Sequence, residues 1–184
     1  LIRHFKLALM GNWGEMVPVV LVVDMLRGFL EESFPLFCGT AARQIIPRVI
    51  NLLKNLREKE IIYICDHHQP DDSEFKMFPA HCIEGTVEAE IISELRDHPG
   101  IIVPKRRYSG FYDTELDGLL KRLDPSKVIV VGVCTDICIM HTVADLRNRD
   151  YIVEVPRDCV VSFDLEAHNF ALRHMEKVLG AYIV

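Results

Sequence analysis

Apolar and polar positions follow two periodicities along the chain, and the switches between them divide it into elements. "PVVLVVD" (18–24), "IIYICD" (61–66), "IIV" (101–103), "KVIVVGV" (127–133), "YIVEV" (151–155) and "AYIV" (181–184) are short apolar runs rich in valine and isoleucine. Runs of this length and composition predict strands covered on both faces. Between them, apolar positions recur at helical spacing. Ile45, Ile46, Val49, Leu52, Leu53 and Leu56 do so within 40–59, and shorter helices are expected at 86–95, 113–123, 136–149 and 164–177. Pro47 must sit near the start of the 40–59 helix or bend it, because it lacks an N–H and its ring meets the preceding turn. Apolar strands alternating with helices predict an α/β fold. The expected form is a single domain of three layers, α/β/α, with a mostly parallel six-stranded sheet, doubly wound with helices on both faces. Ligands of such sheets bind beyond the carboxyl ends of the strands. That rule selects Asp24, Asp66, Lys105, the Cys134–Cys138 turn and Asp158.

The stretch "DHHQPDDSEFKMFPAHCIEGT" (66–86) breaks the pattern, and polar insertions of this size are commonly functional. Asp66 and His68 are two residues apart, so an extended backbone turns both to one side. With His81 they offer an oxygen and two imidazoles, a set suited to Zn²⁺, Fe²⁺ or Mn²⁺ with positions left open. A solvated polar loop accounts for the same residues equally well. In "GVCTDICIMHT" (132–142), Asp136 is a good N-cap, which puts Cys138 in the first turn of a helix. There the unpaired N–H groups and the helix dipole favour a thiolate and could receive an oxyanion. Cys134 precedes the helix and lacks that field. Spacing alone leaves both cysteines equally readable as small buried residues. A metal set of Cys134, Cys138 and His141 fits less well, because cysteine zinc sites normally use closer pairs. Asp24 closes an apolar strand. Desolvation there raises its pKa and a nearby Lys105 would lower it, so it could exchange a proton with a thiol, or simply cap its own loop.

Composition narrows the class. The 184 residues are 49% hydrophobic and 26% charged, ordinary for a globular domain. A net charge of −6, with "KRR" (105–107) as the one basic cluster, gives no nucleic-acid surface. No apolar run approaches the roughly 18–20 residues of a membrane span. The opening "LIRHFKLALMGNWGEM" lacks a signal-peptide core with a cleavage site, and the six cysteines do not space as a secreted disulfide framework. A reducing cytoplasm is therefore the expected location.

Several stretches, in this order, resemble one family: "VVDMLRGF" (22–29), "DHHQPDDSEF" (66–75), "FPAHCIEGT" (78–86), "PKRRYSGFYDTELDGLL" (104–120) and "GVCTDICIMHTVADL" (132–146). Over residues 17–184 the chain resembles the isochorismatase-like cysteine hydrolases, and among them the nicotinamidases, leaving 1–16 as an N-terminal extension. The resemblance implies a catalytic triad of Asp24, Lys105 and Cys138, with Cys138 as nucleophile. It also implies a cis peptide at Val133–Cys134, and an oxyanion hole from the N–H groups of Cys134 and Cys138. Asp66, His68 and His81 match divalent-metal ligands, with Glu74 adding a bond directly or through water. The metal is expected to be Zn²⁺, with Fe²⁺ or Mn²⁺ as alternatives. Phe29, Phe78 and Tyr108 match the walls of a substrate pocket. The implied partner is a small amide, nicotinamide first and a ureido or carbamoyl compound second, in a homo-oligomer without nucleic acid or membrane. Leu26, Phe78 and Glu88 depart from common family residues, which bears on the substrate more than on the chemistry.

Overall fold

The computed structural model describes residues 17–184, so the N-terminal extension at 1–16 lies outside the described residues. β1 (Val19–Val23), β2 (Glu60–Asp66), β3 (Ile101–Lys105), β4 (Val128–Val133), β5 (Val153–Val155), β6 (Val160–Val161) and β7 (Tyr182–Ile183) form one sheet. Its order is β3-β2-β1-β4-β5-β7, and every pairing is parallel. The expected six strands are present, together with a seventh. β5 pairs with Val128 and Ile129 of β4; β6 then takes over opposite Gly132 and Val133. A 3-10 turn at Arg157–Cys159 separates them, which hid β6 in the sequence.

Alternate residues of β1 explain the layers. Val20 and Val22 pack into one core with Ile46, Val49 and Leu53 of α3 (Ile46–Asn55), behind α1 (Arg27–Leu30) and α2 (Thr40–Arg43). Val19, Leu21 and Val23 pack into the other core, with α4 (Leu116–Leu123), α5 (Met140–Arg147) and α6 (Leu165–Lys177). A strand buried on both faces has no polar positions to spare, as the "VVLVV" run requires.

Three helix expectations change. The 40–59 helix splits into α2 and α3, because Pro47 occupies the start of α3 and cannot continue the turn before it. The 86–95 segment is not a helix but two short 3-10 turns, Val87–Ala89 and Ser93–Leu95. Its backbone is used elsewhere: Ile91 bridges Leu26, Arg27 N–H donates to Glu90 O, and Ile92 N–H donates to Met25 O. The 136–149 helix begins as a wide π-type turn, Thr135–Ile139, and becomes α-helical only at α5. Asp136 lies inside that turn; the capping residue is Cys134, with extended backbone and no side-chain cap.

The winding direction reverses between β1 and β4, and the crevice at such a switch point is where this class of sheet places its site. Gly132 makes the close approach possible. Its φ is +120°, and a Cβ there would lie 1.9 Å from the Val23 carbonyl oxygen. Gly132→Ala is expected to lower the unfolding free energy by about 2–4 kcal/mol, from backbone strain and overpacking together. Urea denaturation of the variant measures this.

Candidate active site

The ends of β1, β2, β3 and β4 deliver four polar side chains to this crevice. Asp24 follows β1 at φ +51°, Asp66 ends β2, Lys105 ends β3 and Cys138 lies in the turn after β4. All are buried; Asp24 is 1% exposed, Lys105 2% and Cys138 7%. Asp66 N–H donates to Asp24 Oδ1 at 2.9 Å, fixing that carboxylate. Lys105 Nζ lies 2.8 Å from Asp24 Oδ2, is ion-paired with Asp66 Oδ1, and donates to Cys138 Sγ at 3.4 Å. Asp24 Oδ2 thus faces the ammonium directly, with Cys138 in the same cluster. The Val133–Cys134 peptide is cis, at the position expected from the sequence.

Two carboxylates sharing one ammonium divide into different roles. Burial, with the neighbouring Asp66 charge adding, pushes Asp24 up to about 6 against the pull of Lys105. Burial would also lift Asp66, but Lys105 and His68 outweigh it and hold that carboxyl at about 2. A pair driven apart in this way can hold a proton on Asp24 while Asp66 stays an anion. For Lys105, burial opposes the charge, yet Asp24, Asp66 and Cys138 outweigh it and raise its pKa well above the ordinary value. Cys138 departs from expectation. Burial pushes its thiol well above the usual range, Lys105 opposes this, and the two carboxylates add to it.

Beside this cluster stand His68 and His81, carried by the 66–86 insertion. The insertion is pinned to the sheet end by a parallel bridge, in which His68 N–H donates to Cys82 O and Glu84 N–H donates to His68 O. His81 Nδ1 donates to the Pro79 carbonyl at 2.8 Å, and His68 Nδ1 to Asp72 Oδ2 at 3.1 Å. Asp72 is a reliable acceptor: burial would lift its carboxyl, but the Glu74 N–H, His68 and Arg107 hold it at about 2. Carbonyl and carboxylate can only accept, so both rings carry a proton on Nδ1, and each ring in its neutral form presents an Nε2 lone pair inward. Those atoms lie 3.7 Å and 3.9 Å from Asp66 Oδ2, and the buried His68 Nε2 has no hydrogen-bond partner among the described residues. Three inward lone pairs with no donor between them fit a cation, and Asp66, His68 and His81 meet within 4.8 Å. Glu74 is buried, with Oε1 4.0 Å from His81 Nε2. Asp24, Asp66 and Cys138 also meet within 4.8 Å, but the Lys105 ammonium serves that trio.

Phe29, Phe78 and Tyr108 line a cavity of about 290 Å³ that opens onto Cys138. Leu36, Phe37, Ile137 and Phe163 complete its apolar wall, and the sequence reading missed all four. Leu36 and Phe37 lie in a loop, and Phe163 follows β6, so none carries a periodic signal; the apolar "FPLF" (34–37) was the available clue. Two candidates fall away. Asp158 is exposed and paired with Arg48 at 3.5 Å, and His141 faces the Ile137 carbonyl at 2.7 Å and packs on Tyr108.

Comparison with known proteins agrees with this geometry. The isochorismatase domain model matches residues 18–183. Nicotinamidase PncA from Bacillus subtilis superposes with a TM-score of 0.86 at 29% identity, over 92% of this chain and 99% of that one. Pyrazinamidase of Pyrococcus horikoshii, solved in complex with zinc, gives 0.83 at 28% identity, over 91% and 98%. N-carbamoylsarcosine amidase from Thermoplasma acidophilum gives 0.81 at 30% identity, over 91% and 95%. With the domain model spanning nearly all of the described residues, the chain belongs to the isochorismatase family.

Proposed function

We propose that the protein is a cysteine-dependent amidohydrolase that converts nicotinamide and water to nicotinate and ammonia. The observation that carries this reading is the make-up of one cavity. Cys138, Asp24, Asp66 and His81 line it together with aromatic side chains, and the Lys105 ammonium and the His68 imidazole stand directly behind that lining. At about 290 Å³ it is close to the lower limit of small-ligand pockets, which run from roughly 300 Å³. Among its lining residues there is no arginine, and Lys105 beside them is already paired with Asp24 and Asp66. A neutral, flat amide suits such a slot better than an anionic carbamoyl acid.

In the reaction, the Cys138 sulfur bonds to the carboxamide carbon while its proton passes to Asp24. Lys105 stabilises the negative charge that moves between sulfur and carboxylate. The oxygen that gains charge is received by the N–H groups of Cys134 and Cys138. Asp24 then protonates the nitrogen, the C–N bond breaks, and ammonia leaves a thioester on Cys138. Asp24, again a carboxylate, takes a proton from water as it attacks the thioester, and the acid departs as the thiol is restored. Asp66, His68 and His81, with Glu74 directly or through water, would hold a divalent ion, zinc in the first instance, which would supply a Lewis-acid position for a ring nitrogen.

An ammonia-release assay over nicotinamide, pyrazinamide, benzamide and N-carbamoyl amino acids tests the assignment. Nicotinamide and pyrazinamide are expected to exceed benzamide, which lacks the ring nitrogen, and to exceed every carbamoyl acid. A second reading, hydrolysis of a ureido or carbamoyl compound, is supported by the 30% identity to N-carbamoylsarcosine amidase. Preference for the carbamoyl acids, with turnover indifferent to chelation, would establish it instead. Independently of turnover, His68→Ala and His81→Ala are expected to weaken zinc binding by about 10- to 100-fold or more in equilibrium titration. Undiminished zinc affinity in both variants would remove these residues from the metal site.

A further inference from the structure

Three thiols border the catalytic cavity, and amide hydrolysis uses the sulfur of only one. The other two belong to Cys38 and Cys134, whose Sγ atoms lie 3.4 Å apart. Neither position is accidental. Cys38 N–H donates to Phe29 O at 2.9 Å, tying its loop to α1, and Cys134 joins β4 to the turn that carries Cys138. The cysteines outside this group are engaged elsewhere: Cys82 Sγ faces Glu88 O at 3.6 Å and Cys159 Sγ faces Asp158, while Cys65 is buried in β2.

We propose that Cys38 and Cys134 form an oxidation site, which a peroxide entering the cavity converts to a disulfide that reversibly suppresses turnover. In the first step the Cys38 sulfur attacks one peroxide oxygen. The S–O bond forms, the O–O bond breaks, and the thiol proton leaves with the second oxygen, as water for hydrogen peroxide. The sulfur is oxidised to a sulfenic acid and the peroxide is reduced. In the second step Cys134 sulfur attacks that of Cys38, the S–S bond forms, and the hydroxyl departs as water with the Cys134 proton. A disulfide needs about 2.05 Å between sulfurs, so the pair must close by roughly 1.4 Å. Part of that movement falls on Cys134, four residues before the nucleophile and at the start of the turn that aims it. Displacements on the order of 1 Å in a positioning segment can reduce turnover roughly a hundredfold.

Cys138 is a competing target for peroxide, so the bond is read first in a Cys138→Ala chain. After brief peroxide treatment, denaturation and alkylation, the expected result is two fewer alkylated thiols. A dithiothreitol-sensitive cross-link should join the Cys38 and Cys134 peptides. A cross-link between another pair, or full alkylation of both residues, would overturn the proposal without bearing on the hydrolytic reading. In the unsubstituted protein, peroxide is expected to lower amide hydrolysis at least roughly tenfold, with dithiothreitol restoring it. Over-oxidation of Cys138 to the sulfinic acid is not restored by thiols, which separates the two losses. In Cys38→Ala the recoverable portion should shrink to what reversible sulfenic acid on Cys138 itself accounts for; if it persists unchanged, the pair is not the site.

Discussion

Cys138→Ala is expected to reduce ammonia release by at least about 10⁴-fold, whereas Cys134→Ala keeps turnover within about tenfold of the unsubstituted protein. Two cysteines so near in sequence differ this much because of what each sulfur touches. Cys138 Sγ receives the Lys105 ammonium at 3.4 Å and sits in a cluster with Asp24, so it can give up a proton and be held as an anion. Cys134 Sγ instead faces another thiol, Cys38, at 3.4 Å, which can supply no positive charge to hold an anion. The backbone N–H of Cys134 survives substitution by alanine, which is why its removal costs little. Steady-state ammonia release, with circular dichroism as a check on folding, tests both variants. Comparable activity in Cys138→Ala and the unsubstituted chain would rule out the thioester route.

Lys105→Met carries the second large effect, and here it is mainly on stability. The ammonium stands between Asp24 and Asp66, both buried, and removing it leaves two carboxylates facing each other in the interior. Losing one partner from a buried ionic group costs about 3–5 kcal/mol, far more than an exposed ion pair would. Urea denaturation should show a loss of that size, together with a fall in turnover of at least about 10²-fold. Adding Asp66→Asn to Lys105→Met should recover part of the stability and none of the activity, since it removes one orphaned charge but restores no cation. A Lys105→Met protein as stable as the parent would mean that the cluster is organised by something other than this ammonium.

Much of this site could be read before any fold was known, because its chemistry is tied to strand ends. The runs finishing at Asp24, Asp66 and Gly132 announce both a parallel sheet and the rim where its ligands sit. "DHH" followed by "AHC" likewise placed Asp66, His68 and His81 together. What escaped depended on competition for backbone partners. The 86–95 stretch has helical spacing, yet its amides and carbonyls pair with residues 25–27. β6 is two residues long and becomes a strand only because β5 stops short along β4. For Cys138, proximity to a helix start is visible in sequence, whereas burial beside two carboxylates and an ammonium, which pull its pKa in opposite directions, is not.

The machinery and the mouth of the cavity are built from different material. Asp24, Asp66, Lys105 and Cys138 all sit at the ends of paired neighbouring strands or in the turn that follows one, where a shift in one would disturb the others. Leu36 and Phe37 lie in a loop between α1 and α2, and Phe163, 63% exposed, lies between β6 and α6. Loops tolerate replacement and length change far better than packed strands. If the proposed hydrolysis holds, changes at Leu36, Phe37 and Phe163 would alter which amide is admitted without rebuilding the chemistry beneath, so substrate choice and catalytic competence could evolve separately.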